Sequence, residues 1–275
     1  MPMNIKQLST VCFTLSLLWG CTPVDPTGDS TSTRTTSRQL IPTVYHIPTY
    51  DVSKLKCSES STVDLKDREG RVLARACANQ VVDCVMQGSC LLKEHVPEVT
   101  KVLRKKKLVK ITKVIERLHG YNYVGKIDGR YAFQEIDLKS CAYTYGASGW
   151  CLSPNFSVAA DPKYHQPGDV IYVPSLAGTR LPSGELHDGY FIVKDTGGAI
   201  KGPDRFDFFL GLRRNVRRDH PFLLLGLNDK KSGLVFQKVF GREAEAIRNR
   251  RRFSHKLPRA KIQADKDFKE SVDQI

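Results

Sequence analysis

A mainly β fold centred on a small barrel is predicted by three features of this sequence. Apolar runs of strand length recur at 170–173, 189–193 and 206–210, bounded by Pro167-Gly168, by Pro174 or by the break Asp195-Thr196-Gly197-Gly198; short buried strands between turns have this pattern. The stretch 143–162 is rich in glycine and strand formers, and closely spaced short strands with Gly and Pro breaks favour a barrel. Upstream, Glu69-Gly70 and Asp128-Gly129 each sit between apolar-bearing runs, which predicts hairpins in a smaller α+β segment packed beside the barrel. The 275-residue chain is 40% hydrophobic, enough for one sizeable core or two small ones.

Taken in order, residues 1–20 read as a signal peptide. Lys6 precedes an apolar stretch from Leu8 to Trp19, too short for a spanning helix, which needs about 20 apolar residues. The ending Leu17-Leu18-Trp19-Gly20-Cys21 resembles the lipobox of bacterial lipoproteins, which implies lipidation at Cys21 and a membrane anchor there. Thr22, where some lipoproteins carry Asp, implies the periplasmic face of the outer membrane. Residues 21–55 are crowded with Thr, Ser and Pro and are expected to be a flexible tether, because such a segment buries too little apolar surface to offset its ordering entropy.

The α+β segment is expected at 56–138. Two short strands flank Glu69-Gly70, and the cysteine-bearing region 79–92 suits a short helix followed by a strand. Lys101–Leu118 has apolar residues at helical spacing but is also rich in Val and Ile, so a helix or a pair of basic strands both fit. Its cations suit an anionic polymer, although a solvated basic face over a small core is the commoner use of such a run. The whole chain carries 43 basic and 29 acidic residues, a formal net charge of +14, which favours an anionic partner. The export signal argues against nucleic acid.

Besides Cys12 and Cys21, six cysteines remain: Cys57, Cys77, Cys84, Cys90, Cys141 and Cys151. An even number in an exported chain suggests disulfides. Cys141 with Cys151 is the preferred pair, since it closes a short loop beside the glycine-rich region; the other pairings stay open. None of the spacings is C-x-x-C, so no metal or other cofactor is assumed.

The barrel is expected at 139–245, followed by a basic C-terminal helix and tail at 246–275. Within it, Asp195 and Asp207 flank a glycine-rich turn that also carries Lys201. Carboxylates beside apolar strands must be hydrogen-bonded, paired or used. The plainer use is a turn residue at Asp195 and a surface ion pair between Asp207 and Arg205 or Lys201.

The motifs Ala159-Ala160-Asp161-Pro162, Tyr172-Val173-Pro174, Asp195-Thr196-Gly197-Gly198-Ala199-Ile200-Lys201-Gly202 and Arg205-Phe206-Asp207-Phe208-Phe209 together resemble the three-aspartate (3D) domain family. That family includes the C-terminal part of membrane-bound lytic transglycosylase A. The resemblance spans 143–211 and places the family's aspartates on Asp161, Asp195 and Asp207. The separation between the last two is one residue longer than the family pattern, which leaves Asp204 as a rival for the third position; the apolar flanks favour Asp207.

The resemblance implies a six-stranded double-psi β-barrel and lytic cleavage of peptidoglycan between N-acetylmuramic acid and N-acetylglucosamine. The product is a 1,6-anhydro ring, and a single aspartate acts as acid and then as base. On this view Asp207 moves the proton, Asp195 and Asp161 orient and tune it, Lys201 pairs with these acids or contacts glycan, Thr196 and Gly197 contact glycan, and Tyr143 and Tyr145 suit sugar stacking, although core packing is the commoner use of each aromatic taken alone. A non-catalytic glycan-binding lipoprotein on the same barrel is the main alternative, and a two-carboxylate hydrolase is the third.

Overall fold

The computed structural model describes residues 33–104, 107–147 and 149–253. The signal peptide, Cys21 and the chain after Phe253 lie outside the described residues. No described helix is long and apolar enough to cross a membrane.

The chain is mainly β. From the N-terminal side it forms β1 (Arg38–Gln39), β2 (Ile41–Ile47), β3 (Thr49–Asp51), β4 (Thr62–Lys66), β5 (Val72–Cys77), helix α1 (Ala78–Met86), β6 (Ser89–Arg104), β7 (Lys107–Ile127) and β8 (Arg130–Ile136). There follow β9 (Ser157–Ala160), β10 (Val170–Tyr172), β11 (Tyr190–Asp195), β12 (Arg205–Leu212), α2 (Pro221–Leu224), β13 (Val235–Val239) and α3 (Gly241–Arg250). These strands make a six-stranded sheet, ordered β3-β6-β7-β8-β4-β5, and a seven-stranded sheet, ordered β1-β13-β10-β11-β9-β12-β2.

The tether expectation is corrected over residues 38–51, which form β1, β2 and β3. In Ile41-Pro42-Thr43-Val44-Tyr45-His46-Ile47, Tyr45 and Ile47 are buried, giving the strand a core-facing side that the neighbouring Thr and Pro residues disguise. β2 closes one edge of its sheet and pairs in parallel with β12, and an edge position tolerates Pro42. A single residue, Pro48, then carries the chain to β3 in the other sheet, where its carbonyl accepts from the Leu91 amide at 2.9 Å.

The helical option for Lys101–Leu118 is also overturned. β6 and β7 pair antiparallel from Ser89↔Asn122 out to Arg104↔Lys107, so β-branched residues decide the conformation. The Asp128-Gly129 signal is realised as the β7–β8 turn, with φ of 49° and 76°; positive φ at both positions matches the strand twist.

Phe191, Phe206, Phe208, Phe222 and Phe236 are fully buried in the main core beneath the seven-stranded sheet. A smaller cluster including Tyr45, Ile47, Leu91, Ala159, Ile200 and Phe209 joins the two sheets. Strand alternation along β12 therefore sends Phe206 and Phe208 to the main core, and Asp207 and Phe209 to the junction.

The disulfides are Cys57–Cys77, Cys84–Cys90 and Cys141–Cys151. The second ties α1 to the start of β6, and the third closes the loop from Cys141 to Cys151 beside β11.

Candidate active site

The sheet register builds the site. β9 lies between β11 and β12, and its Ala159 is the register partner of Asp195 on one side and of Asp207 on the other. Asp207 in turn faces Thr43 of β2. Thr43, Asp207, Ala159 and Asp195 thus form one row across four strands, with the two aspartates two strands, or roughly 10 Å, apart at the backbone.

Asp195 reaches this row through a bulge. Val193 pairs with Val158, yet Asp195 pairs with Ala159, so Lys194 is skipped. In regular pairing Lys194 would occupy the row; the extra residue re-aims the strand so that the carboxylate faces the cleft instead. Lys194 is buried on the other side, where its Nζ donates to the Cys151 carbonyl at 3.2 Å and to Ser153 Oγ at 3.0 Å. Burial, with Arg251 nearby, lowers its pKa to about 8.

Asp195 is tightly held. Its Oδ1 accepts from the Ala147 amide at 2.6 Å and the Thr196 amide at 2.8 Å, and its Oδ2 accepts from the Tyr45 hydroxyl at 3.0 Å. Burial outweighs these donors and, with a contribution from Asp207, raises its pKa to about 6. Asp207 is also shifted upward by burial, opposed by Thr43, whose hydroxyl donates to Oδ1 at 2.8 Å, and by the Arg205 charge. Among the described residues only Thr43 bonds Asp207, so Oδ2 remains open to the cleft. Burial and the two acids push the Tyr45 hydroxyl well up, so it stays a donor.

The cleft holds about 380 Å³ and runs between the two sheets. Asp195, Asp207, Tyr145, Thr196 and Gly197 line it, opposed by the α1–β6 turn at Gln87, Gly88 and Ser89 and by Asn122 and Tyr123 of β7. The wall is tied to the floor where Ser89 and Thr144 share a buried hydroxyl bond at 2.7 Å and where Asn122 Nδ2 donates to the Tyr145 carbonyl at 3.0 Å.

Three expected site residues lie elsewhere. Asp161 accepts from the Gly202 amide at 2.9 Å and the Lys163 amide at 3.1 Å. Those amides hold its carboxyl below the usual range, with smaller help from Lys201 and Lys163. It is therefore a structural acid that pins the end of the 196–202 turn, not a group in the cleft. Lys201 is exposed and its charge acts on Asp161. Tyr143 packs edge-on against Phe209, centroids 5.9 Å apart, beside the junction core. Asp204 is paired with Arg38 at 2.7 Å, whereas Asp207 lines the cleft.

Thr43, Tyr45 and the Ala147 amide were missed from sequence. The first two sit in a segment expected to be a tether, and a backbone amide leaves no trace in residue type. The only available signal was the period-two alternation around Val44.

Gly146 makes the amide possible. A Cβ there would fall inside the contact distance of the Lys194 carbonyl oxygen and 2.9 Å from the Asp195 Cβ. Gly146→Ala is expected to displace the loop, break the Ala147–Asp195 bond and cost about 1–3 kcal/mol. Gly197→Ala, which meets the movable Ile200 side chain at 2.8 Å, should cost less; thermal melts of the two variants check the order.

Among the described residues no group of three or more His, Cys, Asp and Glu is placed to hold a metal ion.

Residues 156–219 match the family model described as the 3D domain. This part of the chain is accordingly a three-aspartate domain, as its motifs suggested, and the match contains Asp161, Asp195 and Asp207. No curated protein matches the chain. Among solved structures, the chain is similar to MltA of E. coli with bound chitohexaose, with 14% identity, 74% of this chain and 71% of that chain covered, and a TM-score of 0.42. It is also similar to a membrane-bound lytic murein transglycosylase from Agrobacterium tumefaciens, at 15% identity, 74% and 75% coverage and a TM-score of 0.43. A third is the lytic transglycosylase LtgG of Burkholderia pseudomallei, at 16% identity, 74% and 71% coverage and a TM-score of 0.33.

Proposed function

We propose that this protein is a peptidoglycan lytic transglycosylase in which Asp207 is the catalytic acid and then the base. The observation that carries the proposal is the unequal pair of buried acids across Ala159. Burial raises the pKa of both, but Asp195 is saturated by three donors, whereas Asp207 has a single donor and an oxygen open to the cleft.

A protonated Asp207 gives its proton to the glycosidic oxygen as the bond from muramic acid C1 breaks. Asp207, now a carboxylate, takes the proton of the C6 hydroxyl, and O6 closes on C1 to form the 1,6-anhydro ring. The proton count balances and no water is consumed, so a second catalytic carboxylate is not needed, unlike ordinary glycoside hydrolysis. Burial keeps Asp207 protonated to a higher pH than a solvated acid, as the first step requires. Asp195 is a positioning residue: its negative charge, when ionised, favours the positive charge that develops at C1.

The three-aspartate match supports assigning the seven-stranded sheet to a double-psi barrel, as do the parallel β9–β11 and β2–β12 pairs joined through antiparallel β9–β12. The lipobox-like ending at Cys21 supports a lipid anchor and a place at the outer membrane, facing peptidoglycan.

Digestion of purified peptidoglycan followed by mass analysis tests the activity. Anhydro-muropeptides are expected. Reducing-end products would instead establish hydrolysis, and retention on peptidoglycan without cleavage would establish a glycan-binding module.

A further inference from the structure

The β6–β7 hairpin runs far beyond the sheet that anchors it. β3 supports β6 only at Leu91–Lys93, and β8 supports β7 only from Gly120 onward. From Glu94 to Arg104 and from Lys107 to His119 the two strands pair with each other alone, a ribbon about 35 Å long. Among the described residues no core cluster includes a ribbon side chain, so its cations do not form a solvated face over a small core, the use that the sequence favoured. An unsupported two-stranded ribbon is marginal in water.

Its two faces differ. On one, Glu98 faces Lys113 and Val96 faces Ile115, which are opposed charges and half-buried aliphatics. On the other, Lys101 lies directly opposite Lys110, beside Val99, Pro97 and Val114. Val99 is 57% and Val114 64% exposed. Like charges directly opposite on a ribbon are unfavourable unless something neutralises them. Arg104, Lys105, Lys106 and Lys107 add charge to the hairpin as a whole rather than to this face, and no Asp or Glu occurs from Val99 to Ile115. Lysines also guard open strand edges, but one or two suffice for that purpose.

The ribbon has no Phe, Tyr or Trp between Leu91 and Gly120, so it offers no stacking platform for sugars or bases. Aliphatic side chains beside lysine ammonium groups suit a different surface, an interface where methyl groups meet acyl chains and cations meet phosphates. We propose that this face of the β6–β7 ribbon docks on an anionic phospholipid bilayer, independently of the cleavage chemistry.

The test uses residues 22–275, which lack both the apolar stretch Leu8–Trp19 and the acylation site Cys21, and sedimentation with vesicles of phosphatidylcholine containing phosphatidylglycerol. Binding is expected to be at least ten-fold stronger than to phosphatidylcholine alone and to weaken as salt rises. Lys101→Glu with Lys110→Glu should reduce it at least ten-fold, and Val99→Ser with Val114→Ser several-fold, with unchanged circular dichroism. Lys230→Glu with Lys231→Glu, the same charge change on exposed residues elsewhere, should leave it within two-fold. Equal loss in the Lys230/Lys231 control would overturn the proposal, as would binding unaffected by the ribbon variants. Capture by soluble polyglutamate as tight as by vesicles, without dependence on Val99 and Val114, would overturn it in favour of an acidic polymer.

Discussion

Asp207→Asn should reduce release of anhydro-muropeptides by about a thousand-fold or more, since it removes the only group assigned to both proton transfers. The amide keeps the shape and can still accept from Thr43, so the fold and peptidoglycan binding should survive, and the melting temperature should not fall. Asp204→Asn alters a partly exposed pair with Arg38 and should leave cleavage within about two-fold, because such pairs contribute little. The two variants also separate the rival registers. Normal cleavage by Asp207→Asn together with loss in Asp204→Asn would sink the assignment.

Asp195→Asn is expected to stabilise the protein at neutral pH while impairing cleavage. The folded pKa of about 6 lies above the ordinary carboxylate value, so folding favours the protonated acid. That contribution is fully present below the unfolded value near 4 and is lost as pH rises through about 6. At pH 7 the ionised, buried carboxylate consequently costs about 3 kcal/mol. The amide oxygen can still accept from Ala147 and Thr196, and its nitrogen can donate to the Tyr45 hydroxyl. A gain of about 1–3 kcal/mol is expected, a rise of several degrees in melting temperature. Between pH 7 and 5 the parent should gain stability that Asp195→Asn lacks. The comparison must be between the two proteins, because the histidines add slopes common to both: His119, raised by Glu135 and Glu94, one of the same sign, and His46, His165, His187 and His220, lowered by burial, ones of the opposite sign. A lower melting temperature for Asp195→Asn at pH 7, or identical pH slopes, would show that the Asp195 carboxylate is not under strain.

Much of the architecture could be read from local chemistry. The strands at 170–172, 190–195 and 205–212 and the turn at Asp128-Gly129 follow from apolar strand-length runs and turn residues, which depend on near neighbours. The strands at 38–51 were hidden because their apolar positions are diluted by Thr and Pro, and only a distant partner, β12, makes them worthwhile as strands. The ribbon was ambiguous because Val, Ile and Lys fit both helical and strand spacing until a cross-strand partner is specified.

By itself the sequence determined that acids flank a glycine turn between buried strands, and that Asp207 sits among phenylalanines on a strand whose alternate residues are core. Only the tertiary structure decided which acids meet. One bulged residue puts Asp195 rather than Lys194 beside Ala159, parallel pairing brings Thr43 to Asp207, and two backbone amides remove Asp161 to a structural post. The reason is that a strand's alternation assigns faces from local residues alone, whereas the partners on a face come from register with strands distant in sequence, as far as 164 residues for Thr43 and Asp207.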